Sequence, residues 1–367
     1  MRKEKNRRVL LSVLLAFCLT LAACGQGADS DTSDTAGGGA PALETGTDEA
    51  GTDKAGEAVI DVEALRAQMG FYVDGTTLYD ANGNPFIMRG INHAHTWYSD
   101  KLFLALDGIA ATGSNCIRIV LSDGEQWSET SAETVKNIIS LCKERNMIVI
   151  LEVHDATGYK DKESLLAAAQ YFVDIKDVLI GEEDYCIINI ANEWQGNSES
   201  KIWKEAYTEA IPMLREAGLA HTILVDSSGW GQYGRCIGDA GLAVFESDPL
   251  GNVMFAVHMY GTAGGTEEKI RQNLDYALEQ NLCVCVGEFG YTHSDGDVEE
   301  AYLMEYCVEN GIGYIAWSWK GNSGGVEYLD LAISWDGSEL SEEWGEVVIN
   351  GENGIKETSQ ICTVFTE

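Results

Sequence analysis

The chain has 367 residues with 59 acidic against 24 basic side chains, a net charge of −35. So acidic a surface repels phosphate backbones and anionic lipid headgroups, which argues against nucleic acid as a partner and favours a neutral or cationic ligand. Nine Trp and 45% apolar residues are enough for a large buried core, so the chain is not a disordered polyelectrolyte.

The first segment, "MRKEKNRRVLLSVLLAFCLTLAAC", is a basic start followed by an apolar stretch too short to span a bilayer with ease, and residues 1–23 are expected to be a secretory signal. The small residues ending on Cys24 resemble a bacterial lipobox, in which the Cys becomes the lipid-bearing first residue. An extracellular, membrane-anchored lipoprotein is therefore expected. Residues 24–58 are mostly Gly, Ala, Thr, Ser, Asp and Glu, with one basic residue, Lys54, and no aromatic side chain, a composition that cannot bury enough surface to fold. They read as an acidic tether ahead of a folded domain over 59–367.

That domain opens on "FYVDGTTLYDANGNPF", where Asp74-Gly75 and Asn82-Gly83 are turn signals that predict a β-hairpin. Short apolar runs follow at about thirty-residue spacing: "PFIMRGIN" from 85, "NCIRIVL" from 115, "MIVILEVHD" from 147, "YCIINIANE" from 185, "TILVDSSG" from 222, "VMFAVHMY" from 253, "CVCVGEFG" from 283 and "GYIAWSW" from 313. Helical patterns fill most of the gaps, among them "SAETVKNIISLCKERN", for which Thr130 and Glu133 are expected to form the capping box. Eight apolar strands alternating with helices predict a closed (β/α)₈ TIM barrel, with the hairpin closing its floor. The first strand leads into no Gly-rich phosphate loop, as an open dinucleotide-binding sheet would.

Eight cysteines fall in this domain without a C-x-x-C spacing. Cys283 and Cys285 share a strand face but have no neighbouring His, so small core hydrophobes are expected and no metal or other cofactor.

In a barrel of this kind the C-terminal strand ends converge on one cleft. Those ends carry His95, Arg118, Glu152, His154, Asn192, Glu193, Asp226, His258, Tyr260, Glu288, Trp317 and Trp319. Glu193 and Glu288, ending the fourth and seventh runs, are the paired carboxylates that glycosidic cleavage requires, one to give a proton and one to attack or activate water. A salt-bridge network around Arg118 is the structural alternative.

Arg118 in "CIRIVL", His154 in "LEVHD", Asn192-Glu193 in "ANEW", His258 and Tyr260 in "VHMYG", Glu288 in "GEFG" and Trp317 in "AWSWKGN" together resemble glycoside hydrolase family 5, and further stretches from Gly70 to Phe365 are similar to its bacterial endo-β-1,4-mannanases. The resemblance implies a retaining double displacement on mannan, galactomannan or glucomannan, with Glu288 as nucleophile and Glu193 as acid/base. Arg118 and Tyr260 would hold Glu288, His258 would attend Glu193, and Asn192 would bond the sugar 2-hydroxyl. Trp317 would floor the sugar site, with Trp97, Trp194, Trp230 and Trp319 as further platforms and His95, His154 and Lys320 as polar contacts. A monomer is expected. β-1,4-Endoglucanase action on the same barrel and a non-catalytic polysaccharide-binding lipoprotein are the competing readings; two intact carboxylates disfavour the second.

Overall fold

A computed structural model describes residues 60–366. The expected signal, Cys24 and the whole of the tether lie outside the described residues. The hairpin predicted from the turn signals is present: β1 (Tyr72–Asp74) pairs antiparallel with β2 (Thr77–Tyr79). Eight parallel strands then close into a barrel: β3 (Arg89–His93), β4 (Cys116–Leu121), β5 (Ile148–Val153), β6 (Cys186–Asn189), β7 (Ile223–Asp226), β8 (Val253–Met259), β9 (Val284–Phe289) and, after a small β10–β11 ribbon (Thr292–His293 with Gly296–Asp297), β12 (Gly313–Ala316), which returns to pair with β3. Each barrel strand is followed by helical structure that covers the outside, the (β/α)₈ arrangement read from the sequence.

The period of two sorts the strand residues into two layers. Ile117, Ile119, Val149, Leu151, Ile188 and Val225 face the helices and join the main core. Cys116, Ile148, Ile150, Ile187, Leu224, Met254 and Ala256 face inward and form a second cluster, which Phe71, Leu78, Phe86 and Met88 complete. The hairpin segment therefore plugs the barrel floor with apolar side chains, leaving the opposite mouth for polar ones. All eight cysteines in the described residues are free and buried, and Cys283 and Cys285 both belong to the inner cluster.

One capping expectation needs correction. The helix Ala132–Lys143 is capped by Ser131, whose hydroxyl accepts from the Thr134 backbone N–H at 3.2 Å. Thr130 is instead buried, and its Oγ1 accepts from Ser122 N–H at 3.2 Å. Two adjacent hydroxyl residues satisfy the same sequence pattern, and the approach of the β4 end decides between them. Among the described residues no helix is long and apolar enough to cross a membrane.

Candidate active site

The inward positions nearest the mouth are no longer apolar. Alternation along β4 carries Arg118 onto the same face as Cys116, and along β8 it carries His258 onto the face of Met254 and Ala256. Asn92, Glu152, Asn189 and Asp226 stand at or one residue before the ends of their strands in the same layer, all fully buried.

Glu288 reaches this layer by a different route. Strict alternation from Cys285 would turn it outward. The β8–β9 register slips between Val257 and His258, so that Val257 is opposite Val286 but His258 is opposite Glu288, leaving Gly287 as an extra residue. That bulge turns the carboxylate into the barrel. A Cβ at Gly287 would sit 3.0 Å from both Ala256 Cβ and His258 Nε2, so the kink is made where a larger residue does not fit easily.

Arg118 organises the buried polar layer. Its Nη1 donates to Glu288 Oε1 at 2.8 Å and Asn92 Oδ1 at 3.0 Å, its Nε to Asn189 Oδ1 at 2.9 Å, and its Nη2 to Asn192 Oδ1 at 2.8 Å. Burial by itself works against the charged guanidinium, but Glu152, Asp226 and Glu288 outweigh it and hold the cation well above its usual range. Tyr260 Oη donates to the other Glu288 oxygen at 2.9 Å. Both carboxylate oxygens are thus oriented by donors from different strands, one of them charged.

Glu193 stands just beyond β6 in a left-handed backbone conformation, φ +45°. Its N–H donates to Asp226 Oδ2 at 3.0 Å and its carbonyl accepts from Gly158 N–H at 3.2 Å, bonds that hold this uncommon conformation. Its Oε1 lies 2.9 Å from His258 Nδ1. One oxygen from each of Glu193 and Glu288 and one His258 ring nitrogen lie within 4.8 Å of one another, the one such convergence of three or more ligand-type side chains among the described residues. Burial favours neutral His258, but Glu288, Asp226 and Glu193 overcome it and push the imidazole up to about 10. An imidazolium has no lone pair to give a metal, so this trio suits proton chemistry better than cation binding.

The pair opens into a cleft of about 540 Å³ lined by His154, Asn192, Trp230, Tyr260, Trp317 and Asp295 among others. His154 stacks parallel to Trp317 with ring centroids 6.0 Å apart, and its Nδ1 is 3.0 Å from buried Glu152. Trp97 and Trp127 continue this aromatic line: Trp97 meets the edge of His154 at 5.2 Å and of Trp127 at 5.1 Å.

Residues 79–323 match the family model described as Cellulase (glycosyl hydrolase family 5). The chain belongs to glycosyl hydrolase family 5. It is 50% identical over 298 residues to a mannan endo-1,4-beta-mannosidase of Salipaludibacillus agaradhaerens, a match covering 81% of this chain and 96% of that one. A solved beta-mannanase from Thermomonospora fusca superposes with a TM-score of 0.77 at 41% identity, covering 81% of this chain and 99% of that structure. Identity falls to 28% over 296 residues against endoglucanase E-5 of Thermobifida fusca, covering 74% of this chain and 62% of that protein.

Within the family 5 barrel, Glu193, Glu288, Arg118, Asn192, His258 and Tyr260 gather at one point, and His154, Trp230 and Trp317 line the cleft around them. Trp230 is 49% exposed within the cleft, whereas Trp97, 40% exposed, stands beside the lining against His154. Four further expected contacts are not in this cleft. Trp194 is fully buried behind the Asn192-Glu193 turn, with Nε1 donating to Asp161 O and Ser164 Oγ, both at 2.9 Å. Trp319 is fully buried, its Nε1 donating to Trp335 O at 2.9 Å. His95 is buried edge-on to His93, and that burial pulls its imidazole down to about 4. Lys320 lines a separate hollow of about 380 Å³ and lies 3.4 Å from Asp330 Oδ2. Trp194 directly follows Glu193 and Trp319 lies two beyond Trp317, yet both are turned away from the cleft by the bonds of their Nε1 groups.

Sequence reasoning missed Trp127, Gln232 and Asp295. Asp295 accepts from the Gly261 and Thr262 N–H groups at 3.1 and 2.8 Å and from Gln232 Nε2 at 3.2 Å, fastening the β10–β11 ribbon to the cleft rim. The Asp295-Gly296 turn signal was the available clue. Trp194→Phe keeps a ring but loses both Nε1 bonds, and should lower stability by about 1–3 kcal/mol. KM for a mannan oligosaccharide should stay close to that of the parent. Thermal unfolding and steady-state kinetics check the two halves separately, and a large rise in KM with unchanged stability would return Trp194 to the sugar site.

Proposed function

We propose that the chain is a retaining endo-β-1,4-mannanase acting on mannan, galactomannan or glucomannan. The observation that carries this reading is the approach of Glu193 and Glu288 oxygens to within 4.8 Å. Retaining glycosidases hold their carboxyl groups about 5–5.5 Å apart, whereas inverting enzymes leave about 6.5–9.5 Å for a water between them. Mannan as substrate is supported by the named activity of the relative at 50% identity.

In this mechanism a Glu288 oxygen bonds to the anomeric carbon as the glycosidic bond breaks. The bonding pair stays on the leaving oxygen, which takes the proton of Glu193. Glu193, now a carboxylate, deprotonates a water that displaces Glu288 from the sugar and restores both groups. Asn192 has spent Oδ1 on Arg118 and one amide hydrogen on Thr157 Oγ1 at 3.0 Å, which leaves its second amide hydrogen for the 2-hydroxyl. Trp317 offers an apolar face to a pyranose ring, and the line from His154 to Trp97 and Trp127 extends the cleft beyond a single sugar, in keeping with endo action.

Product analysis on mannohexaose and cellohexaose tests substrate and endo action together. Internal cleavage of mannohexaose with β-configured first products is expected. Preferential cleavage of cellohexaose would make the protein an endoglucanase, and cleavage of neither would leave a binding protein.

The proposal extends to location. Residues 1–23 act as the signal, lipid on Cys24 anchors the protein at the cell surface, and residues 24–58 tether a monomeric catalytic domain of residues 59–367. Basic residues near the start and the small residues before Cys24 support this reading. Cys24→Ser should abolish lipid labelling and shift the protein out of the membrane fraction or into an unprocessed precursor, with activity of the soluble domain retained. Continued lipid labelling of that variant would sink the anchor proposal.

A further inference from the structure

Asp226, like Glu152, is a fully buried acid of the site. Its carboxylate is fully buried under the cleft and has no path to a substrate of its own. Oδ1 accepts from Asn189 Nδ2 at 3.0 Å. Oδ2 is the busier atom: it accepts from the Glu193 backbone N–H at 3.0 Å, lies 3.4 Å from Arg118 Nη2, and lies 3.3 Å from His258 Nε2. The His258 contact has ion-pair distance without the alignment of a hydrogen bond, since Nε2 has no hydrogen-bond partner. Its attraction is therefore that of charge, which does not need alignment.

The imidazole can do little to escape this charge. A Cβ on Gly231 would fall 2.6 Å from His258 Cγ and one on Gly287 3.0 Å from Nε2, so glycine backbone presses on the ring from two sides. The His258 backbone N–H is fixed to Gly231 O at 2.7 Å. The ring consequently presents Nδ1 to Glu193 and Nε2 to Asp226, and cannot exchange them by a flip without moving the loop.

We propose that Asp226 is a positioning residue for the acid step: its Oδ2 holds His258 as the imidazolium, which makes Nδ1 donate to Glu193 Oε1 and leaves the acid proton on Oε2 for the glycosidic oxygen. The inference rests on the assignment of Glu193 as acid/base. A neutral imidazole protonated at Nε2 would present the Nδ1 lone pair instead, and would accept the Glu193 proton that the leaving group needs. The charges facing His258 are Glu193 from the turn after β6, Asp226 from β7 and Glu288 from β9, with Arg118 of β4 behind the last two and Tyr260 as a neutral donor to Glu288. Of the three carboxylates, Glu193 and Glu288 change charge or bonding during the proposed reaction, and Asp226 alone is constant. Burial opposes its charge, but His258, Arg118 and the Glu193 N–H keep it down at about 2.

The test replaces charge but not shape. In Asp226→Asn, Oδ1 of the new side chain can still accept from Glu193 N–H at the loss of the Asn189 Nδ2 bond, while every proton in the His258–Glu193 pair is held less tightly because one negative charge is gone. The alkaline limb of kcat/KM on mannan should therefore move to lower pH by about one unit or more. At a fixed pH of 8, turnover of mannan should fall by roughly 10- to 100-fold, and turnover of an aryl mannoside with a good leaving group much less. An unmoved alkaline limb in a folded variant would make Asp226 a brace only and overturn the proposal. Nitrogen-15 NMR of histidine-labelled, unsubstituted protein gives an independent readout. His258 should show the imidazolium pattern at pH 8, and a neutral pattern there would overturn the proposal even if Asp226→Asn failed to fold. Because that spectrum requires no substrate, it stands or falls separately from mannanase activity.

Discussion

Replacement of Glu288 by alanine is expected to abolish turnover of mannan and of activated aryl mannosides alike, by on the order of 10⁴-fold or more, because the atom that would bond to the sugar is gone. Glu193→Ala should behave differently. It removes a proton donor, which an aryl mannoside with a good leaving group scarcely needs, so the glycosyl-enzyme should still form and accumulate. Added azide should then restore turnover by attacking that intermediate without a general base and give a product of retained configuration. Azide added to the Glu288 variant would take the place of the nucleophile itself and give the opposite anomer. The geometry supports this division of labour: Glu288 is bound at both oxygens by Arg118 and Tyr260, whereas Glu193 is bound at one by His258. Equal responses of the two variants to azide and leaving group would withdraw the assignment, whatever polysaccharide proved to be the substrate.

Arg118→Met is expected to have the second-largest effect, and on stability as well as rate. The guanidinium is fully buried, with Glu288 at 2.8 Å, Asp226 at 3.4 Å and Glu152 at 3.8 Å. Methionine matches much of the volume but leaves these carboxylates facing one another without a cation. Breaking a buried ion pair from one side typically costs about 3–5 kcal/mol, and several acids share the loss here. Activity should also fall, by on the order of 10²–10³-fold, because Glu288 and Asn192 lose the donor that orients them. Arg118→Lys should recover part of the stability and little of the rate, since one ammonium supplies charge but cannot replace the planar fork that reaches Asn92, Asn189, Asn192 and Glu288 together. Denaturant unfolding with kcat/KM for both variants checks the prediction. A stable, fully active Arg118→Met protein would show that the network is decorative.

The residues of the site differ in how far a sequence could place them. Arg118 lies two residues from Cys116, and His258 two from Ala256, so an unbroken period of two puts each on the barrel interior without further information. The eight apolar runs, the hairpin turns and the polar strand ends are local patterns of the same kind. They determine the (β/α)₈ architecture, because near-continuous apolar strands separated by helices must be covered on the outside and closed at the edge. They also bring the Glu193–Glu288 pair to the C-terminal mouth.

Periodicity stops carrying information where the ladder slips or ends. Only the β8–β9 register turns Glu288 inward, since Gly287 is an extra residue against a strand some thirty positions earlier. Trp194 follows Glu193 directly and Trp319 lies two beyond Trp317, yet one of each pair faces the cleft and the other is buried, because contacts with Asp161, Ser164 and Trp335 from distant loops select the direction. Asp226 reads in sequence as one more polar strand end. Its place under His258 and Glu193 depends on three strands meeting at their ends, so its role in proton placement belongs to the tertiary structure. The sequence by itself therefore determined the barrel and the placing of two carboxylates at its mouth, through patterns local to each strand. Packing between strands decided their orientation and charge environment, because both depend on neighbours that no local period specifies.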